Sequence, residues 1–171
     1  MERWLDHYFQ RRSQVNKHLG QEALIGQNAH GNEPSHHAAW LYAFTASPWK
    51  GHALVDRIAR SFYRDSPNGL IGNDDCGQMS AWLVFATLGI YPVNPGHGEY
   101  MTGLPLVKKA QLHLQTGTLT VRANLPSSFA RGRVHRVDLQ LDGIAFDSQK
   151  SIAHQALLKV RTLEFLVTGQ A

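Results

Sequence analysis

The sequence predicts an α+β protein, with helices first and strands after. Up to about residue 92, apolar side chains recur at helical spacing. From about residue 110 the apolar period falls to two. Gly89 and Pro92 close the helical part, and residues 93–109 join the two. The boundaries are therefore 1–92 helical, 93–109 connecting and 110–171 β.

Taken in order, "RWLDHYFQRRSQV" sets Trp4, Leu5, Tyr8 and Phe9 on one stripe, an amphipathic helix. A polar loop, 16–34, follows. "SHHAAWLYAFTA" then offers Ser35 as an N-cap to a second helix. In "SPWKGHALVDRIARSFY", Ser47 caps a third helix and Pro48 suits its first position. "MSAWLVFATLG" is apolar on nearly every side, so this helix is expected to be buried all round. In the β part, "AQLHLQTGTLTVRAN" alternates on both sides of "QTG", a hairpin pattern. "VDLQLDGIAF" turns at Asp142-Gly143, and "TLEFLV" supplies a last strand. Four helices, one of them apolar all round, cannot cover one another well, and so few strands leave open edges. The expectation is a part of something larger.

At 171 residues and 43% hydrophobic, the chain can bury one core. No run of about 18 apolar residues appears, so no membrane span is expected. The amphipathic, charged start is not a signal peptide, which leaves the compartment open. Cys76 is the only cysteine, which excludes an internal disulfide and thiolate metal sites. The net charge of +4 is modest and "ARGRVHR" is its densest basic stretch, so no nucleic-acid partner is expected.

Two stretches carry the chemistry. "PNGLIGNDDCGQMSAW", 67–82, sets Asn73, Asp74 and Asp75 in a glycine-bounded loop before the apolar helix. The bland reading has Asp75 or Ser80 capping that helix and Asp74 facing water. The functional reading is that neighbouring carboxylates raise one another's pKa, which suits acid–base work. "GNEPSHHAAW", 31–40, gathers Asn32, Glu33, His36 and His37 at the mouth of the second helix. Pro34 keeps Glu33 extended, where its carboxylate faces a helix N-terminus or binds an ion. The oxygens of Asn32, Glu33, Asp74 and Asp75 suit a hard cation such as calcium. Zinc on His30, Glu33 and His37 is the rival, without the spacing of a helical zinc motif.

"IGQNAHGNEPSHH", "SPWKGHALVDRIARSFY", "PNGLIGNDDCGQMSAWLVFATLGIYPVNPGHGEYMTGLPLV" and the tail through "TLEFLVTG" together resemble the C-terminal part of glycoside hydrolase family 92. Its members are exo-acting α-mannosidases, mostly bacterial and exported to the periplasm or beyond the cell. The resemblance spans nearly the whole chain, in order. Departures are the segments 14–22 and 126–136, and Val160-Arg161 where the family tends to have glycines.

The resemblance implies the last helices of an (α/α)₆ toroid, then a small antiparallel β segment that packs with a β-sandwich. It implies an inverting, calcium-dependent hydrolysis of terminal α-mannosyl linkages in glycans. The general base falls to Asp75, with Asp74 second. Glu33 and Asn32 fall to the metal, and His36, His37 and Asn73 to the sugar. Many members carry a further acid two residues before the base, where this chain has Asn73. The family's general acid lies well upstream of "GNEPSHH", so this chain is expected to hold only the base side. Its partners would be a mannose-containing glycan and the N-terminal portion of the enzyme. A glycan-binding remnant without turnover is the alternative, and a zinc-dependent hydrolase is the third.

Overall fold

The computed structural model describes residues 1–11, 24–127, 129–130 and 135–170. The end of the expected first helix (12–15), residues 16–23 of the polar loop, and 131–134 of the basic stretch lie outside the described residues.

Helix α1 (Glu2–Gln10) buries Leu5 and Phe9, while Trp4 stays largely exposed and stacks on Tyr8. It is tied to helix α2 (Pro48–Phe62) by Lys50, whose Nζ donates to Glu2 and Asp6, each at 2.8 Å. Tyr42 Oη donates to the second oxygen of Asp6 at 2.7 Å.

The expected second helix is not α-helical. Glu33–Ser35 and Ala38–Phe44 are 3₁₀ turns, the latter flanked by His37. The Trp82 indole N–H donates to the His36 carbonyl at 3.0 Å, the acceptor an α-helix would offer to Trp40 N–H. Trp40 N–H donates to His37 O instead, at 3.0 Å, and the turn tightens. Ser35 does not cap forward either. Its hydroxyl points back, donating to Ala29 O at 2.6 Å and Asn32 O at 2.8 Å. Pro48 opens α2 as expected, but Ser47 makes no side-chain cap.

Helix α3 (Gln78–Leu88) corrects another expectation. Met79, Trp82, Ala86 and Leu88 are buried, yet Val84 is 59% exposed, so only one face is covered. Gly89 ends the helix in the left-handed region, as expected.

Strands β1 (Leu24–Ile25) and β2 (Asn28–Ala29) form a short hairpin before the 3₁₀ turns. Strands β3 (Ile90–Tyr91), β4 (Glu99–Thr102) and β9 (Ile152–Ala153) form a small antiparallel sheet, with β4 inside the connecting stretch. The larger sheet runs β5 (Lys109–Leu114), β6 (Gly117–Asn124), β10 (Thr162–Gln170), β7 (His135–Leu141) and β8 (Ile144–Phe146). Both expected hairpins form: Leu114 pairs with Gly117, and Leu141 with Ile144 across Asp142-Gly143. The sheet is antiparallel except for β6 and β10, which run parallel. A short helix α4 (His154–Leu157) follows β9.

Apolar side chains gather in two cores. One surrounds Trp82, Tyr42, Ile58 and Met79; the other surrounds Phe165, Leu163, Leu119 and Leu139. Phe85 touches both. The mouth of α3 therefore rests on the first core, which fixes the loops before it.

Candidate active site

The loops 31–37 and 72–77 meet at the start of α3. Gly72 has φ +76°, and a Cβ there would stand 3.1 Å from Gly31 O, so a side chain would wedge the loops apart. The histidines lock the contact. His36 is 2% exposed. Its Nε2 donates to His30 O at 3.1 Å, while its Nδ1 accepts from the Gln78 amide at 3.1 Å. Burial holds its pKa below the usual histidine value, so the ring is neutral. Tyr63 Oη donates to Met79 O at 3.1 Å and accepts from His30 Nε2 at 2.8 Å. Burial, with His36 alongside, takes His30 down to about 3. The His30 ring lies edge-on to Trp82, 4.3 Å between centroids, and stacks with His36.

On this floor the two acidic residues of "NDD" part company. Asp74 is not turned to water: its Oδ1 accepts from Ser80 N–H at 2.9 Å, and its carbonyl accepts from Met79 N–H at 3.2 Å. It caps α3, the part expected of Asp75 or Ser80. Asp75 instead swings out. Asp75, Cys76 and Gly77 have φ of 43°, 58° and 89°, three successive left-handed residues. For the two that are not glycine, this costs about 1–3 kcal/mol each. The turn presents the exposed Asp75 carboxyl to Glu33. A hydrogen bond with Glu33, then the charges of Glu33 and Asp74, push Asp75 above the usual carboxylate value.

Glu33 is half-buried, and its Oε1 is sealed from solvent with no protein donor among the described residues. Asn32 and His37 are exposed beside it, and Asn73 is exposed on the facing loop. The structure thus brings Glu33 and Asp75 together. His36 lies beneath as a strut rather than open to solvent, and Asp74 faces its own helix. The grouping of His30, Glu33 and His37 is not assembled: no three His, Cys, Asp or Glu side chains among the described residues could hold an ion. His30 is committed to Tyr63. Gln78 was not singled out from sequence, although it directly follows "DDCG" and joins the two loops through His36.

The chain as a whole has solved counterparts. It is similar to two structures of the family GH92 α-mannosidase BT3965 from Bacteroides thetaiotaomicron. One matches at 31% identity and TM-score 0.83, covering 99% of this chain and 21% of that chain. The other, in complex with mannoimidazole, matches at 30% identity and TM-score 0.87, covering 99% and 22%. The family GH92 inverting mannosidase BT2199 from the same organism matches at 32% identity and TM-score 0.74, covering 95% and 23%. A protein of Arthroderma benhamiae described as an uncharacterized secreted glycosidase is 34% identical over 137 residues, 78% of this chain and 17% of its own. Residues 1–169 match the glycosyl hydrolase family 92 catalytic domain. The chain belongs to glycosyl hydrolase family 92, and it spans about a fifth of the length of these relatives. Among the described residues, no helix is long and apolar enough to cross a membrane.

Proposed function

We propose that the chain is the base-bearing part of an inverting α-mannosidase that hydrolyses terminal α-mannosyl linkages of glycans, with Asp75 as the general base. The carrying observation is the Asp75 carboxyl, held out on a strained left-handed turn with its pKa raised by Glu33, while Asp74 is spent on the helix cap. A base must be ionised yet basic enough to take a proton from water, and a raised carboxyl suits that.

Glu33 and Asp75 are too close to be the two halves of an inverting pair. Such pairs stand about 6.5–9.5 Å apart to admit water, and even retaining pairs stand about 5–5.5 Å apart. Both therefore serve one face of the sugar, and the general acid comes from outside these loops. In this reading His36 and Gln78 orient the Glu33 loop, His37 and Asn73 meet sugar hydroxyls, and Asp75 holds the water. The relatives described as mannosidases, one of them inverting and one an α-mannosidase with mannoimidazole bound, support the substrate class.

Calcium fits in kind. The orphaned, buried Oε1 of Glu33 is a hard oxygen donor, and the Asn32 amide is exposed beside it. Two residues fall short of the 6–8 oxygens calcium takes, leaving room for water and sugar hydroxyls. When bound, the ion would fix sugar hydroxyls and relieve the crowding of the two carboxyls. The secreted relative is consistent with export of the whole enzyme.

The test supplies the chain with the N-terminal portion of a family relative and follows an aryl α-mannoside by anomeric proton NMR. Activity with inversion, loss with Asp75→Asn, and loss on chelation with recovery in calcium rather than zinc are expected. Retention of configuration, or full rate in excess chelator, would overturn the corresponding part. The chain alone should show no turnover above background; robust hydrolysis abolished by Asp75→Asn would mean that its acid lies within these 171 residues.

A further inference from the structure

At the opposite end of α2 from the carboxyl pair, a cleft of about 450 Å³ opens between the helical part and the larger sheet. Its volume is that of a small-molecule site, commonly about 300–1,000 Å³ and often found where two parts of a protein meet. Eleven residues of helix separate His52 in its wall from Tyr63 beneath the catalytic loops, roughly 16 Å at 1.5 Å per residue. No residue of the 31–37 or 72–77 loops lines it.

The walls have a mixed chemistry. Trp49 and Phe146, both half-buried, supply aromatic surface. Asp138, Asp147 and Gln149 bring planar polar groups. Each carboxylate has a cation near it: Arg136, also in the lining, stands 3.5 Å from Asp138, and Lys150, just outside it, 3.9 Å from Asp147. A charged ligand would have to break these pairs, so a neutral one is favoured. The floor is mostly apolar, with a few polar atoms. His52 and Thr102 also line a void of about 10 Å³ with Trp40. Trp40 Nε1 and His52 Nδ1 are both buried without a protein partner.

We propose that this cleft binds a neutral saccharide unit, a hexopyranoside, at a site separate from the carboxyl pair. Aromatic rings cover the apolar face of a pyranose, while carboxylate and amide oxygens take its hydroxyl protons, and no net charge is needed. This does not rest on the catalytic reading: a chain that hydrolyses nothing would still hold the sugar here.

The test titrates methyl α-mannoside, with methyl α-glucoside and inositol alongside, into the whole chain and reads saturation-transfer NMR and tryptophan fluorescence. Saturable hexoside binding is expected, weakened roughly tenfold by Trp49→Ala. Asp138→Asn should also weaken it, while Trp49→Phe and Asp75→Asn keep it. Near-UV circular dichroism checks that each variant is folded; if Trp49→Ala is not, Asp138→Asn decides. Should the chain alone give no cooperative transition, the same variants are read with the N-terminal portion of a relative attached. Absence of saturable binding in the folded protein would overturn the proposal. So would binding that Asp75→Asn abolishes and Trp49→Ala spares, or a cleft filled by the attached polypeptide so that no hexoside enters.

Discussion

Exchanging the two neighbouring aspartates separates a structural carboxylate from a chemical one. Asp74→Ala removes the acceptor of Ser80 N–H at the start of α3. Loss of a capping side chain costs about 0.5–2 kcal/mol, typically ~1. For a domain of this size, each kcal/mol lowers the melting temperature by roughly 2–4 °C. Asp74→Asn keeps an acceptor and should lose less. Asp75→Asn should behave in the opposite sense. Its folded-state pKa lies above the unfolded value, so the stability this carboxyl contributes is complete below the ordinary carboxylate pKa. That contribution is lost as pH rises through the raised one. At neutral pH the ionised side chain crowds Glu33, and an amide relieves it. Asparagine also tolerates the left-handed angles of this position. Thermal melts by near-UV circular dichroism at acid and neutral pH read both effects. Asp74→Ala should melt below the parent at either pH, and the gain from Asp75→Asn should grow towards neutral pH. Equal destabilisation by the two substitutions at neutral pH would refute this division of roles.

Three further outcomes are expected. Trp82 is fully buried, stacked on Tyr63 at 5.6 Å, and donates to His36 O. Trp82→Ala should therefore cost about 3–5 kcal/mol in urea unfolding. Gly51→Ala, which in an open helix gains about 1 kcal/mol, should destabilise, because its Cβ would stand 2.6 Å from Ala39 O; a higher melting temperature would contradict this packing. Val84, 59% exposed on an apolar helix, should drive concentration-dependent association and dye binding that Val84→Lys reduces; a dye-silent monomer would contradict it.

Much of this architecture was legible because its causes are local. Pro48, Gly89, Asp142-Gly143 and the alternation after residue 110 act within a few residues, and each put an element where it stands. The 3₁₀ stretch was not legible, since it depends on an indole 46 residues away taking a carbonyl from the ladder. Likewise the parallel pairing of β6 with β10 joins strands on either side of β7 and β8, beyond the reach of a hairpin pattern. At the site, sequence brought forward Glu33 and Asp75. Only the bland reading misplaced the helix cap, giving it to Asp75 or Ser80 rather than Asp74, because nothing local says that Asp75 and Cys76 both adopt left-handed angles.

The supports of that turn are neutral. Asp75 changes charge as it takes up and releases a proton, and a scaffold of ion pairs beneath it would respond. Instead the loops are joined by bonds that carry no net charge: His36 to His30 O and to Gln78, Trp82 to His36 O, and Tyr63 to Met79 O. The rings involved stay neutral, with His30 held at about 3 by burial. Their contribution runs in the usual sense for a depressed histidine: neutral and stabilising at working pH, and lost on acidification as the buried ring must charge. Above that range, proton exchange on Asp75 leaves the floor unchanged. A base positioned in this way can cycle its proton without moving the loop that aims it, which is what a site that must hold a water in line requires.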